Sequence, residues 1–294
     1  MTPCTIAITA YNEEANIGKL LDSVVKQRSQ EYSFGEIIAV VSGSVDRTAE
    51  IVKEKSGKDA RIRLLLQEKR EGKASAINMM LAAAKGEIVI LISADTLPEE
   101  DAFQKLLEPF ADPKVGMTGG HPVPVNKPDS LVSFSVNLLW SLHHRLARLK
   151  PKLGELIAFR KVFAEIPAFT AVDEVSIESM IAERGFSLRY VSEAVIYNKG
   201  PQNVREFLSQ RRRIYAGHLY VKKTTGYSAA TMNIFRILRV LIKEIKWSPR
   251  FAVWTAGAVA LEAWGRLLGI YDLRIRKKNP YIWDMAKTTK DHEK

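Results

Sequence analysis

Residues 86–96 read GEIVILISADT. The run from Ile88 to Ile92 is apolar without alternation, which fits a strand covered on both faces, as in a parallel sheet flanked by helices. The polar residues that follow fall at the strand's carboxyl end. PEEDAFQKLLEPF (98–110) then reads as a helix with Pro98 in its first turn. The same arrangement recurs outward from this stretch. CTIAITAY (4–11) precedes EANIGKLLDSVVKQ (14–27), where Ile17, Leu20, Leu21, Val24 and Val25 hold helical spacing. GEIIAVVS (35–42) precedes DRTAEIVKEKS, and RIRLLLQE (61–68) precedes KASAINMMLAAAK. Strands alternating with helices of this length predict βαβ units, hence an α/β fold with a Rossmann-like, mostly parallel sheet.

Later segments are less regular. VGMTGGHPVPV (115–125) reads as strand, Gly turn, strand. SLVSFSVNLLWSLHHRLARLK (130–150) is an amphipathic helix with Leu131, Phe134, Leu138, Leu142, Leu146 and Leu149 on one stripe. SLRYVSEAVIYN (187–198) is a further strand.

A chain of 294 residues, 46% hydrophobic and 26% charged, has material for one large domain and an extension. Cys4 is the single cysteine, which excludes an intrachain disulfide and a cysteine-built metal site. The apolar run Ile6–Ala10 is too short for a secretory leader, so the reducing cytoplasm is the expected compartment. The net charge is +11, and residues 201–250 hold eleven Lys or Arg against two Glu. That concentration predicts an anionic partner, phosphate or lipid headgroup, and not nucleic acid, whose binding face would be more diffuse.

In such sheets ligands bind beyond the carboxyl ends of the strands. That rule selects Thr9–Glu13, Ser42–Asp46, Lys69–Lys73 and Ser93–Thr96. Asp95 could hold Mg2+ or Mn2+ against a diphosphate, or it could cap the helix after Pro98. Lys69, Arg70 and Lys73 surround Gly72 before a helix and suit a phosphate, or are simply solvated charges. Asp173 and Glu174 open another helix. Neighbouring helical side chains diverge by roughly 100°, so the two are not expected to form a tight pair. One would face a site as general base and the other would cap or orient, or both would merely favour the helix dipole. Gln210 and Arg213 share a helical face, with Tyr215 or His218 nearby, and suit a sugar and a leaving phosphate. His218 has no second histidine at metal spacing, and His143–His144 reads as a helix face. GxSxG, CxxC, HExxH and GxGxxG are all absent.

The ordered series ITAYNEEANI, VVSGSVDRT, KREGKASAIN, ISADT, GELIAFRK, VDEVSI and QRRRI resembles the family-2 inverting glycosyltransferases of GT-A fold, over roughly residues 3–220. The resemblance implies a UDP- or GDP-sugar donor, a divalent metal (Mg2+ or Mn2+) and a single displacement helped by a carboxylate base. The family's Asp-x-Asp motif is carried by Ser93-Ala94-Asp95, so only its last acid is present, and Asp95 becomes the metal residue. Asp173-Glu174 matches the base motif and makes Glu174 the base. Gln-x-x-Arg-Trp matches Gln210 to Ile214, with Ile214 replacing tryptophan. Where relatives carry acids before the Gly-Ser turn, Val41 and Ser42 stand here. The implied donor contacts are Ala10, Tyr11, Glu13, Ser42, Lys73, Ala94 and Asp95, with Gln210 and Arg213 toward acceptor and diphosphate. The alternatives are a nucleotidyltransferase and a degenerate nucleotide-binding or scaffold subunit.

Residues 1–228 are the expected catalytic domain and 229–294 a helical extension on the cytoplasmic face of a membrane. NIFRILRVLIKEIKW sets Ile234, Ile237, Leu238, Leu241 and Ile245 against Arg236, Arg239, Lys243 and Lys246, the pattern of a helix lying on an anionic membrane surface. In the next segment, started by Ser248 and Pro249, eleven apolar residues from Phe251 to Leu261 precede Glu262. A spanning helix needs about twenty. A monotopic or re-entrant hairpin, or a subunit contact, is therefore expected over a span, with a helical pair covering the catalytic domain as the alternative. A lipid-linked or polymeric acceptor follows from a membrane setting.

Overall fold

The computed structural model describes residues 1–244, 249–277, 280–282 and 286–290. Its first half follows the expected alternation: β1 (Thr2–Ala10), α1 (Ile17–Lys26), β2 (Tyr32–Ser42), α2 (Thr48–Ser56), β3 (Ile62–Gln67), α3 (Lys73–Ala83) and β4 (Ile88–Ser93). Then come β5 (Thr96–Pro98), α4 (Ala102–Leu107), β6 (Val115–Pro124), α5 (Leu131–Leu149), β7 (Leu156–Arg160), α6 (Asp173–Glu183), β8 (Ser187–Asn198) and α7 (Val204–Thr225). Two helices follow, α8 (Ile234–Glu244) and α9 (Pro249–Arg274).

Among the described residues the eight strands form one sheet in the order β3-β2-β1-β4-β7-β6-β8-β5. It is mixed: six strands run one way, as a mostly parallel sheet requires, and β7 and β5 run the other. β3, β2, β1 and β4 are parallel, as are β6 and β8. β7 runs against both its neighbours, and β5 runs against β8. The cause lies in α5. Instead of recrossing a sheet face it stays at the carboxyl rim, where it lines the same cleft as the residues before β7. β7 therefore starts at that rim and runs backward.

Two other expectations are corrected. Pro98 ends β5, and the helix begins only at Ala102. Gly119 and Gly120 lie inside one continuous strand. They serve close packing: a Cβ on Gly119 would sit 2.6 Å from the Leu153 side chain, and one on Gly120 2.5 Å from the Ala194 carbonyl.

Alternate strand residues feed two cores. Ile6, Ile8 and Ile37 face α1 and α4, meeting Leu20, Leu21 and Phe103. Ala7, Ile38 and Val40 face α3 and α6, meeting Ile77, Met80 and Ile181. Fully burying one such side chain contributes about 1.5–3 kcal/mol, so burial on both faces fixes the sheet and holds its rim in place.

α8 and α9 close a third cluster on α5 through Leu138, Leu142, Leu241 and Ala258. α9 is one unbroken helix of 26 residues. It lies close along α7, where a Cβ on Gly269 would sit 2.7 Å from the Arg212 carbonyl. Glu262 does not face hydrocarbon; it pairs with Arg211 at 2.6 Å and Arg266 at 2.7 Å. α8 and α9 thus pack over α5 and α7. Among the described residues no helix is long and apolar enough to cross a membrane. Ile245, Lys246 and Ser248, and the Lys243 side chain, lie outside the described residues.

Candidate active site

The loops after β1 and β2 are stitched to each other. Asn12, at φ 50°, donates its N–H to Ser44 Oγ (2.9 Å) and accepts from Val45 N–H (2.9 Å). Asparagine tolerates this left-handed backbone better than most residues. Glu13 N–H donates to Thr48 Oγ1 (2.7 Å), and Glu14 N–H to Asp46 Oδ2 (3.1 Å). Asp46 Oδ1 also accepts from Thr48 N–H (3.1 Å). The acid of the Gly-Ser turn is therefore spent on fixing the two loops. Ser42 donates to Gln67 Oε1 at 2.5 Å, and Arg70 lies over the Tyr11 ring at 4.0 Å. Glu13 is buried, takes Asn16 Nδ2 at 2.9 Å and pairs with the Lys290 ammonium. Burial lowers Lys290 to a pKa of about 8.

Lys73 opens α3 behind Gly72, whose φ of 98° suits glycine. Its ammonium lies 2.8 Å from Asp173 Oδ2 and 3.0 Å from Glu174 Oε1. The two acids at the start of α6 therefore do not act independently, as adjacency on a helix had suggested. A cation placed between the diverging side chains gathers both. Burial raises Asp173, and the charge of Glu174 raises it further. Burial would also raise Glu174, but Lys73 outweighs it and holds that carboxyl below its usual range. Burial pulls Lys73 down, yet the two carboxylates more than reverse this and raise it. A lysine open to phosphate was expected; here it carries two acids.

Asp95 follows β4 at the carboxyl rim, as expected. Glu155 was not singled out from sequence, yet it stands beside this point. The last pair of the β4–β7 ladder joins Ile92 to Leu156, so Glu155 occupies the next position, by Ser93. Its φ is 61°, and Leu156 N–H closes a three-residue turn on the Gly154 carbonyl at 2.7 Å. That backbone is strained for a residue other than glycine. Burial, then the charges of Asp95 and Glu174, push its carboxyl up to about 7. Only the unusual backbone marks Glu155, and no spacing in the sequence encodes that.

On α7, Arg213 donates to the Ala171 carbonyl at 3.0 Å, just before α6. Ile214 packs with Val172, Val175 and Val221, so an aliphatic residue fills the motif's aromatic position as an anchor. Gln210 lies one turn earlier on α7. All eleven candidate residues, from Ala10 to Arg213, line one cleft of about 1070 Å3. Asp95 and Glu174 face the same cavity. His218, expected near Gln210 and Arg213, lines it too, as do His143 and Lys290, which were not candidates.

The acids at this rim offer oxygen donors only, the set that hard divalent cations prefer. Among the described residues no group of three or more His, Cys, Asp or Glu is arranged to hold a metal by itself. Asp95 and Glu155 suit a cation completed by phosphate oxygens.

Comparison with known proteins was made on this geometry. The model of Glycosyl transferase family 2 matches residues 5–179. The chain is similar to poly-beta-1,6-N-acetyl-D-glucosamine synthase of Staphylococcus aureus, 26% identical over 253 residues, covering 82% of this chain and 60% of that protein. It thus spans about 60% of the length of these curated relatives. A dolichyl-phosphate beta-glucosyltransferase of Trichomonas vaginalis is 37% identical over 107 residues, 35% of this chain and 32% of that one. Among solved structures, a Pyrobaculum calidifontis mannosyltransferase in complex with GDP-Man and Mn2+ aligns at TM-score 0.63 and 21% identity, over 94% of this chain and 86% of that one. Glucosyl-3-phosphoglycerate synthase of Mycobacterium tuberculosis, in complex with Mn2+, UDP and glucosyl-3-phosphoglycerate, aligns at TM-score 0.53 and 18% identity, over 76% and 80%. These structural likenesses establish a shared GT-A-type fold.

Proposed function

The chain belongs to glycosyl transferase family 2, and on that premise we propose that it transfers a sugar, with inversion, from a UDP- or GDP-sugar to a hydroxyl of a lipid-linked or polymeric acceptor. The observation that carries this reading is the clamp of Lys73 on Asp173 and Glu174, set in the cleft that also holds Asp95. Sugar nucleotide, diphosphate and acceptor then have separate places along one cavity. Residues 1–228 act as the catalytic portion and 229–294 as its helical extension. The mannosyltransferase with GDP-Man and Mn2+, and the synthase with UDP and Mn2+, support a nucleotide-sugar donor and a divalent cation.

Asp95, with Glu155 beside it, would hold Mg2+ or Mn2+. Bound there, the cation supplies positive charge to the leaving diphosphate. The chain's own residues do the rest. Ala10, Tyr11, Glu13, Ser42 and Ala94 border the nucleoside. Lys73 and Arg213 add fixed positive charge where the diphosphate departs, the larger expected contribution to rate. Glu174 takes the proton of the acceptor hydroxyl as its oxygen bonds to the anomeric carbon. The carbon–oxygen bond to the diphosphate breaks, and its electron pair leaves with the nucleoside diphosphate. Asp173 orients Lys73 and Glu174, and Gln210 meets the sugar or acceptor.

The test is product release by purified protein with Mn2+ and UDP- or GDP-sugars. Nucleoside diphosphate is expected; pyrophosphate would indicate nucleotidyl transfer instead. Glu174→Gln should abolish transfer and keep donor binding, and full turnover in that variant would remove the base assignment.

α8 supports a place on an anionic membrane. Ile237 and Leu241 pack inward on α5, while Phe235 and Ile242 stay 80% and 70% exposed beside exposed Arg236 and Arg239. Apolar side chains flanked by cations suit the interface of a bilayer, here its cytoplasmic face. Sedimentation with phosphatidylglycerol vesicles at low salt, released at high salt, is the expected behaviour.

A further inference from the structure

Glu155 is held in place against two opposing forces. Its φ of 61° belongs to a tight turn that few residues other than glycine adopt. The charge of Asp95 also opposes its carboxylate. Strain of this kind persists only where the surroundings over-determine the backbone. After the turn, the chain is fixed by the β4–β7 ladder, whose last pair is Ile92 with Leu156. Before the turn, the hold comes from a different element. The Leu153 side chain is fully buried beside Gly119, and the Leu153 N–H donates to Glu178 Oε1 at 2.6 Å.

Glu178 lies on α6, one turn after Glu174, and is 0% exposed. Its second oxygen accepts from the Tyr227 hydroxyl at 3.1 Å, just beyond the Gly226 that ends α7. Burial pushes this carboxyl up, against the charge of Lys152 and the two hydrogen bonds. Burying a carboxylate is a costly way to satisfy two neutral donors. What it supplies is grip, because hydrogen bonds to an ionised acceptor are shorter and roughly twice as strong as neutral ones. At 2.6 Å the Leu153 bond is shorter than an ordinary N–H···O bond. One side chain thus ties together α6, the turn that carries Glu155 and the end of α7. Among the described residues that line the cleft, Glu178 is absent.

We propose that Glu178 is a positioning residue for the cation site: by gripping Leu153 N–H it holds the strained turn that keeps Glu155 beside Asp95. The inference rests on the reading of Asp95 and Glu155 as the place of a divalent cation, and it adds the residue through which the fold sets that place.

The test counts free Mn2+ by electron paramagnetic resonance as it is titrated into the full chain with saturating UDP or GDP. Glu178→Leu should lower Mn2+ affinity about tenfold, the lower end of what a partner behind a metal ligand contributes. Glu178→Asp keeps the charge and shortens the reach; it should lower affinity in the same direction, and it carries the test if the leucine variant fails to fold. Glu178→Gln keeps an acceptor for Leu153 and should retain most of the affinity. Tyr227→Phe removes only the other bond and should leave affinity unchanged. A double-mutant cycle separates positioning from general stability. Glu155→Gln alone should weaken Mn2+ binding, and adding Glu178→Asp should weaken it no further, because Glu178 acts through Glu155. Hydrogen exchange reads the turn with no cation present: Leu156 N–H should exchange faster in Glu178→Asp than in the wild type. Additive losses in the cycle, full Mn2+ affinity in both Glu178→Leu and Glu178→Asp, an equal loss in Tyr227→Phe, or unchanged protection of Leu156 would overturn the proposal. If the wild type binds Mn2+ and the cycle is additive, only the positioning role fails. If the wild type binds no Mn2+ with either nucleotide, the cation reading of the site fails.

Discussion

Replacing Lys73 by methionine keeps the length of the side chain and removes one charge from between two acids. At 2.8 and 3.0 Å and an effective dielectric near 20, each ion pair carries about 6 kcal/mol of gross Coulomb attraction. Desolvation of three buried charges cancels most of it. Removing one partner from a buried pair nevertheless costs about 3–5 kcal/mol, because the remaining charge keeps its desolvation and loses its compensation. For a chain of this size that corresponds to a fall in Tm of roughly 5–8 °C.

The loss should depend on pH. In the wild type, Glu174 is held below its ordinary value. Its contribution is present above the unfolded value of about 4.3 and fades as pH falls through the depressed folded value. In Lys73→Met, Asp173 and Glu174 lose their cation and keep burial and mutual repulsion. Their folded pKa values then exceed the unfolded ones, so the variant gains stability as pH falls from 8 toward 5. The Tm difference should be widest near pH 8 and shrink clearly at pH 5. Adding Glu174→Gln should recover part of it, since one of the repelling acids is gone. Thermal melts of the three proteins at both pH values decide the matter. Equal Tm values at pH 8, or a gap that stays constant down to pH 5, would refute the clamp.

Three further outcomes are expected. Asp95→Asn should lose stabilisation by UDP or GDP with Mn2+, worth about 2.7 kcal/mol in the wild type at a hundredfold excess over Kd, read as a Tm shift. Lys290→Met should destabilise by about 3 kcal/mol, since it leaves Glu13 buried and unpaired, and Glu13→Gln in the same chain should return most of that in urea unfolding. The acidic limb of kcat should lie at higher pH than that of kcat/KM, because a bound diphosphate competes for Lys73 and leaves Glu174 a stronger base in the complex than in the free enzyme; coincident limbs would show that Lys73 stays on Glu174.

Asp95 was legible because hydrophobic periodicity locates a strand and the carboxyl rim of such sheets is where ligands bind. The apolar run Ile88–Ile92 was enough for both steps. The direction of β7 was not legible, since a run such as LIAFR reports burial and carries no sign of which end enters the sheet. Gly119 and Gly120 were misread for a related reason. Glycine signals a turn in sequence, but here it admits Leu153 and the Ala194 carbonyl at close range. Asp173 and Glu174 were read by helical geometry alone, which fixes the angle between neighbours and says nothing of a cation arriving from α3. Glu155 lies inside GELIAFRK and His218 near Gln210 and Arg213, yet neither stretch says what role the side chain has; His143 and Lys290 join the site through tertiary packing alone.

Adjacent acids in a buried cleft are costly unless something cancels them, and the resting arrangement explains how this chain can keep both. Lys73 neutralises one charge and shares its hydrogen bonds with the second, while Asp173 is drawn toward protonation by burial and by its neighbour. The site is therefore stable when idle but poorly basic, because a carboxylate held low by an ammonium is slow to accept a proton. A donor diphosphate brings at least as much negative charge as the two acids and can draw the same ammonium. Binding the leaving group and strengthening the base then become one event. Glu174 would reach its working basicity only when there is a sugar to transfer, and the same lysine that stabilises the fold would set the order of the chemistry.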